Sequence, residues 1–110
     1  MKMYNLKDMV KGWFIGDFEP SVIRTKGFEV GVLKRPVGLE RPKHFHKEAT
    51  EITVLVKGSA RINGKMVSAG DIFILEKNTV VDAEYFEESE LVVVKIPSVM
   101  NDKYLVSDED

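Results

Sequence analysis

The chain has 110 residues, which is enough for one modest domain and too few for two ordinary cores. Hydrophobic residues make up 44% and charged residues 31%, a composition typical of a folded globular domain. No apolar run is long enough for a membrane-spanning helix, no secretory signal is visible, and the absence of cysteines excludes disulfides and thiolate metal sites. We therefore expect a single cytoplasmic domain over 1–110 without a membrane partner.

Short runs rich in Val, Ile, Phe and Thr alternate with Gly, Pro and Asn, a pattern typical of β-strands joined by turns. Before them, 5–11 could form a short helix with Asn5 as its N-cap. Such short, regularly spaced strands predict an all-β antiparallel sandwich or small barrel with little helix. In chain order, the candidate strands are 13–15, 22–24, 28–34, 44–46, 51–57, 59–62, 65–68, 72–75, 80–86 and 91–96.

Two further patterns concern turns and partners. Asn63-Gly64 accepts positive φ at both central positions, which predicts a type I′ turn between two strands. The segments 52–56 and 91–94 are apolar on both faces, so each face must be covered by a second sheet or by a partner subunit. For so small a domain we favour a partner and expect a homodimer. Aromatic and basic residues do not alternate along any strand face, so no nucleic-acid partner is expected.

The only two histidines, His44 and His46, are two residues apart, so on a strand their side chains share a face. A polar loop, 47–50, then leads to an apolar strand that begins at Glu51. In an antiparallel hairpin with that loop, His46 lies opposite Glu51 and His44 lies opposite Thr53. Two imidazoles and a carboxylate on one face predict a divalent-metal site (Fe, Mn, Ni or Zn) with open positions for water or substrate.

Two alternatives to this ligand set remain open. Glu48 alternates with the two histidines on an uninterrupted strand and would then replace Glu51 as the carboxylate ligand. We prefer Glu51, because Glu48 falls where the loop must turn and Glu51 opens a buried strand, where a carboxylate needs a cation. In the other alternative, Glu51 pairs with Arg41 or Lys43 and no metal binds.

The spacing of these residues resembles the first sequence motif of the cupins. The residues that match its fixed positions are Gly38, His44, His46, Glu51 and Gly58. Gly70-Asp71, followed by an apolar run, resembles the start of the second motif. The resemblance implies a double-stranded β-helix (a jelly-roll barrel) that commonly dimerises, with a core over about 22–97, an N-terminal extension, 1–21, and a C-terminal tail, 98–110.

The second motif departs from the family pattern downstream. Its proline falls at Glu76, its glycine at Asn78, its third histidine at Val81 and its asparagine at Tyr85. Since valine cannot ligate a metal, the implied shell of three histidines and a glutamate lacks one member. If Val81 faces inward, Tyr85 shares its face and becomes a candidate hydrogen-bond donor, weak metal ligand or catalytic acid.

Other side chains could contact a ligand at the mouth of the barrel. Trp13 and Phe14 could stack against a planar ring, although such residues also pack barrel ends. A basic cluster precedes the histidines and could attract an anionic substrate or stay solvated. This cluster consists of Lys34, Arg35, Arg41 and Lys43.

Three functions are compatible with these residues, all on a small-molecule ligand. The first is a metal-dependent isomerase, epimerase or oxygenase that acts on a sugar-like metabolite. The second is a metabolite-binding or sensing module whose metal shell is incomplete. The third is metal-free acid–base catalysis with a histidine as base and Tyr85 as acid.

Overall fold

The computed structural model describes residues 1–38 and 41–106. One short 3₁₀ helix, Leu6–Asp8, precedes ten strands in this part of the chain. The strands are β1 (Trp13–Ile15), β2 (Glu29–Arg35), β3 (His44–His46), β4 (Thr50–Lys57), β5 (Ser59–Ile62), β6 (Lys65–Ser68), β7 (Ile72–Leu75), β8 (Ala83–Tyr85), β9 (Ser89–Ile96) and β10 (Lys103–Leu105).

The strands form three antiparallel sheets, which confirms the predicted all-β class. The largest sheet has the order β1-β2-β9-β4-β7. A second sheet has the order β6-β5-β8, and β3 pairs with β10 in a third. The hydrophobic core joins the first two sheets: Leu55 and Leu91 from one pack with Ala60, Ile62 and Tyr85 from the other.

The inner face of the five-stranded sheet changes from apolar to charged along its length. Because β9 pairs with both β2 and β4, residues of the three strands stand in rows across the sheet. Alternate rows point inward, so leucines lie at one end of this face and charged side chains at the other. The inward rows are Leu33–Leu91–Leu55, Gly31–Val93–Thr53 and Glu29–Lys95–Glu51.

The turn predicted at Asn63-Gly64 is confirmed. Both residues have positive φ, 48° and 81°, and they join β5 to β6 with Ile62 opposite Lys65. Asn63 also links this hairpin to the segment just before β8, because its side-chain oxygen accepts a hydrogen bond from the Asp82 N–H at 2.8 Å.

Three local predictions differ from the structure. The N-terminal helix is only the turn Leu6–Asp8, although Asn5 caps it as expected by accepting from the Lys7 N–H at 3.0 Å. The segment 22–24 is not a strand and makes a single bridge, between Ile23 and Ile15, with Ile23 largely exposed. β10, which was not predicted, lies within the expected C-terminal tail, of which 107–110 are outside the described residues.

The predicted hairpin between β3 and β4 is wrong. β3 pairs with β10, so His46 lies opposite Lys103 and not opposite Glu51. β4 enters the large sheet instead, where Glu51 lies between Lys95 and Leu75, and Thr53 lies between Val93 and Phe73, away from His44. The chain therefore changes sheets within the short loop between the two strands.

The carboxylate of Asp102 holds that loop. It is buried, with 5% of the residue exposed, and accepts hydrogen bonds from the backbone N–H groups of Lys47, Glu48 and Ala49 at 3.0–3.2 Å. These amides have no hydrogen-bond partner on a neighbouring strand, because they lie in the loop where the chain passes from β3 to β4. Burial alone would raise the pKa of Asp102, but the three N–H donors lower it.

No helix within 1–38 and 41–106 is both long and apolar enough to cross a membrane.

Replacement of Asp102 by asparagine removes the charge and places an NH₂ group against backbone donors. We expect Asp102→Asn to lower the free energy of unfolding by about 2 kcal/mol, measured by urea denaturation. Asp82→Asn, at an exposed position, is the matched control and should change it little. Equal stability of the two variants would show that the loop does not depend on this carboxylate.

Candidate ligand-binding site

A cavity of about 450 Å³ lies between the sheets and contains the residues that the sequence singled out. Its lining includes both histidines, His44 and His46, together with Glu51 and Tyr85. Thr53 lines it as well, whereas Glu48 is exposed and outside it. The two histidines and Glu51 therefore line one cavity, although strand pairing other than the predicted hairpin places them there.

Three elements bring these side chains together. β3 carries the histidines and is held by β10 and by a bridge between His44 and Val81. The two imidazole rings meet edge to face, with centroids 5.4 Å apart. Glu51 comes from β4 and Tyr85 from β8, on the opposite sheet.

Val81 faces inward, and Tyr85 shares its face, as alternation requires in that case. Val81 is 7% exposed and lines the cavity with Ala83 and Tyr85, while Asp82 and Glu84 are exposed. The position where the cupin pattern has its third histidine is therefore an apolar part of the cavity wall.

Trp13 lines the cavity because Gly31, opposite it on β2, has no side chain. A Cβ atom at Gly31 would lie 2.7 Å from Cε3 of the indole, which is closer than real contacts allow. Phe14 is not part of the lining. Of the predicted basic cluster, Arg35 and Arg41 line the cavity, and Lys34 and Lys43 are exposed outside it.

Three lysines of the cavity wall were not predicted: Lys11, Lys95 and Lys103. Alternation along the strand could have placed Lys95 in the cavity, because it shares a strand face with Leu91 and Val93, which are buried. No sequence pattern could have placed Lys103 there, since it belongs to a strand within the expected tail. Its position depends on the pairing of β10 with β3.

Several solved structures are similar to this chain. A conserved protein with a double-stranded β-helix domain from Klebsiella pneumoniae aligns with a TM-score of 0.66 and 23% identity, over 96% of this chain and 91% of that one. An RmlC-like cupin protein from Ralstonia eutropha aligns at 0.58 and 22%, over 76% and 58%. The DMSP lyase DddQ from Ruegeria pomeroyi aligns at 0.66 and 18%, over 87% and 50%.

The chain has the cupin fold. It spans little more than half of the Ralstonia chain and half of the DddQ chain. No protein-family model matches the sequence, and no curated protein matches it. The double-stranded β-helix expected from the sequence is therefore confirmed by structural similarity.

Both histidines of this cupin barrel are held neutral. Burial, together with the charge of the neighbouring Lys95, lowers the pKa of His46 to about 4. Nε2 of His46 accepts from the Lys95 ammonium at 3.4 Å. Burial also lowers the pKa of His44, against the opposing effect of the Pro42 carbonyl, which lies 3.2 Å from Nδ1.

Burial favours the neutral forms of the two acidic groups in the cavity as well. It raises the pKa of Glu51, although Lys95 and Arg35 oppose the change. It also raises the pKa of Tyr85, beside the Arg35 guanidinium. Four groups that can donate or accept hydrogen bonds without carrying a charge therefore face one cavity: His44, His46, Glu51 and Tyr85.

The described residues do not form a metal-binding group. No three His, Cys, Asp or Glu side chains within 1–38 and 41–106 are close enough together to hold an ion. The Lys95 ammonium lies at Nε2 of His46, one of the nitrogens a metal could use, and Val81 supplies no donor. In this arrangement the donors do not fit a divalent cation.

The low pKa of His46 makes stability depend on pH. The unfolded chain protonates this histidine near pH 6.5 and the folded chain only near pH 4, so protonation favours unfolding between these values. As the pH falls from 7 to 4, we expect wild type to lose up to about 3 kcal/mol more unfolding free energy than His46→Gln. The measurement is urea denaturation of both proteins at each pH.

The remaining titrating groups, Glu51 included, are common to both proteins, so their contributions cancel in the comparison. Parallel pH profiles for wild type and His46→Gln would contradict the assignment of a buried, neutral imidazole.

Proposed function

We propose that this cupin barrel binds a small polar metabolite in its cavity without a resident divalent metal. The observation that carries the proposal is the cavity itself: about 450 Å³, with polar side chains above an apolar floor. Ligand cavities of this kind hold metabolite-sized molecules, with apolar contacts for affinity and a few polar groups for orientation. DddQ, a lyase by its description, has a similar fold.

The cavity wall supplies both kinds of contact. Its apolar part includes Leu33, Leu91 and Phe73, and its polar part includes Tyr85 and Glu51. The Tyr85 hydroxyl can donate to a ligand oxygen, as can the Glu51 carboxyl when it is protonated. Tyr85 and Thr53 also line the cavity and carry no charge, so they can orient a ligand at little desolvation cost.

We expect small polar metabolites to raise the unfolding temperature of tag-free protein treated with a chelator. Tyr85→Phe removes one hydrogen-bond donor from the cavity, so the affinity of a stabilising ligand should fall about fivefold. Tyr104→Phe is the matched control, because Tyr104 stacks on Phe45 outside the cavity, and its affinity should equal that of wild type. The measurements are thermal shift and calorimetry.

Metal analysis of the same tag-free protein decides between this proposal and the metal site of His44, His46 and Glu51, which stays a prediction. Metal well below one ion per chain supports the proposal. A stoichiometric ion that is lost in His46→Ala would establish the metal site instead. Absence of stabilisation by any metabolite in a broad panel would contradict ligand binding.

A second candidate is metal-free acid–base catalysis, with His46 as base and Tyr85 as acid. The observation that favours it is that both groups line one cavity and that the low pKa of His46 leaves its imidazole unprotonated at neutral pH. Proton exchange from D₂O into a bound ligand, persisting with chelator, separates catalysis from binding in the experiment above. The catalytic role of Tyr85 stays a prediction.

We also propose that two copies associate through the outer face of β7. Ile72 and Ile74 are 69% and 60% exposed there, opposite Val54 and Ile52 of β4. Water contact with such a continuous apolar face is unfavourable, and a second copy would cover it.

By light scattering, we expect wild type to have twice the chain mass of 12.5 kDa and Ile74→Lys to have the mass of one chain. Ile23→Lys, at an equally exposed position outside this face, is the control and should remain dimeric. A wild-type mass of one chain would contradict the association.

A further inference from the structure

The cavity has a large excess of positive charge. One carboxylate, that of Glu51, lines it, so its charged side chains sum to at least four positive charges at neutral pH. Within 1–38 and 41–106, the ion pairs shorter than 4.0 Å involve only Arg24 and Arg61, at the surface. Five basic residues line the cavity: Lys11, Arg35, Arg41, Lys95 and Lys103.

The five cations are close enough to repel one another. Burial lowers the pKa of Lys103, and Arg41, Lys95, Arg35 and Lys11 all lower it further. The pKa of Arg35 is likewise lowered by burial and then by Arg41. Like charges gathered in a partly dehydrated space are unfavourable unless counter-charge is supplied.

Arg35 gives the most direct indication that the cavity binds an anion, because one of its hydrogen-bond donors is unused within 1–38 and 41–106. Its Nε is buried and has no hydrogen-bond partner in the described part of the chain. A guanidinium normally uses its planar set of donors on a carboxylate or a phosphate. The Lys95 ammonium contacts the neutral His46 and lies over the face of Trp13, 5.0 Å from the ring centroid. Glu29 and Glu51 lie opposite Lys95 on the neighbouring strands, but neither forms an ion pair shorter than 4.0 Å with it within 1–38 and 41–106.

From this arrangement we infer that the metabolite carries at least two negative charges, as a small dicarboxylate or a phosphate ester does. The inference rests on the proposed function and specifies its ligand class. A neutral sugar would compensate none of the excess positive charge, and a monocarboxylate would compensate one unit of it. A dianion reaches two or more of the cations with charge-assisted hydrogen bonds while its carbon skeleton contacts the apolar floor.

Pairs of probes that differ by one anionic group test the inference by calorimetry in 0.15 M salt. They are succinate against succinamate, and glucose 6-phosphate against glucose. At least one dianion should bind about tenfold or more tightly than its partner, since a charge-assisted hydrogen bond contributes about 1.5–3 kcal/mol. The pair that shows the difference identifies carboxylate or phosphate as the anionic group.

Cavity variants should weaken that dianion selectively. Arg35→Gln and Lys95→Gln should each lower its affinity about tenfold, while Lys34→Gln and Lys43→Gln, outside the cavity, should leave it unchanged at the same ionic strength. Arg35→Lys keeps the charge and should retain part of the affinity. Circular dichroism spectra establish that each variant is folded.

The outcomes separate the two proposals. Equal affinity for charged and less charged probes, or equal effects of inner and outer variants, would overturn the dianion inference and leave metabolite binding in place. Stabilisation only by uncharged ligands in the wider panel would do the same. Failure of every probe and every metabolite would overturn both.

Discussion

The antiparallel pairing of β9 with both β2 and β4 is the constraint from which the rest of the site follows. Register across three strands places one residue of each in every row, and alternation decides which rows face inward. The inward rows end with Glu29, Lys95 and Glu51. A shift of β9 by one residue would turn Lys95 outward and a valine inward, so the same hydrogen bonds that build the sheet also place a cation in the cavity.

Lys95 then determines what kind of chemistry the site supports. Its ammonium donates to Nε2 of His46 and, through its charge, helps to keep that imidazole neutral. The same charge opposes the rise in the pKa of Glu51 that burial produces. A divalent cation would have to displace this ammonium and enter among further basic groups, whereas an anion would be attracted by all of them. The positive charge of the cavity wall is therefore unfavourable for a metal ion, as is Val81, which supplies no donor.

Periodicity alone predicts most strands and some of the side chains that line the cavity, because alternation is a local property of the chain. It locates His44, His46 and Tyr85 on inward faces, and it identifies the turn at Asn63-Gly64. The partner of β3 could not be predicted in this way. That pairing depends on Asp102, which is distant in sequence from the loop amides that it binds, and no local pattern marks such a contact.

His44, His46 and Glu51 line one cavity although the predicted hairpin is wrong, and the same distant contact explains this outcome. A hairpin and a change of sheet both bring the chain back to the barrel interior within a few residues, so Glu51 reaches the cavity in either case. What differs is the residue opposite His46, which is a carboxylate in the hairpin and Lys103 in the structure. With an ammonium instead of a carboxylate opposite His46, the charge beside this imidazole is positive, in keeping with the anionic ligand that we infer.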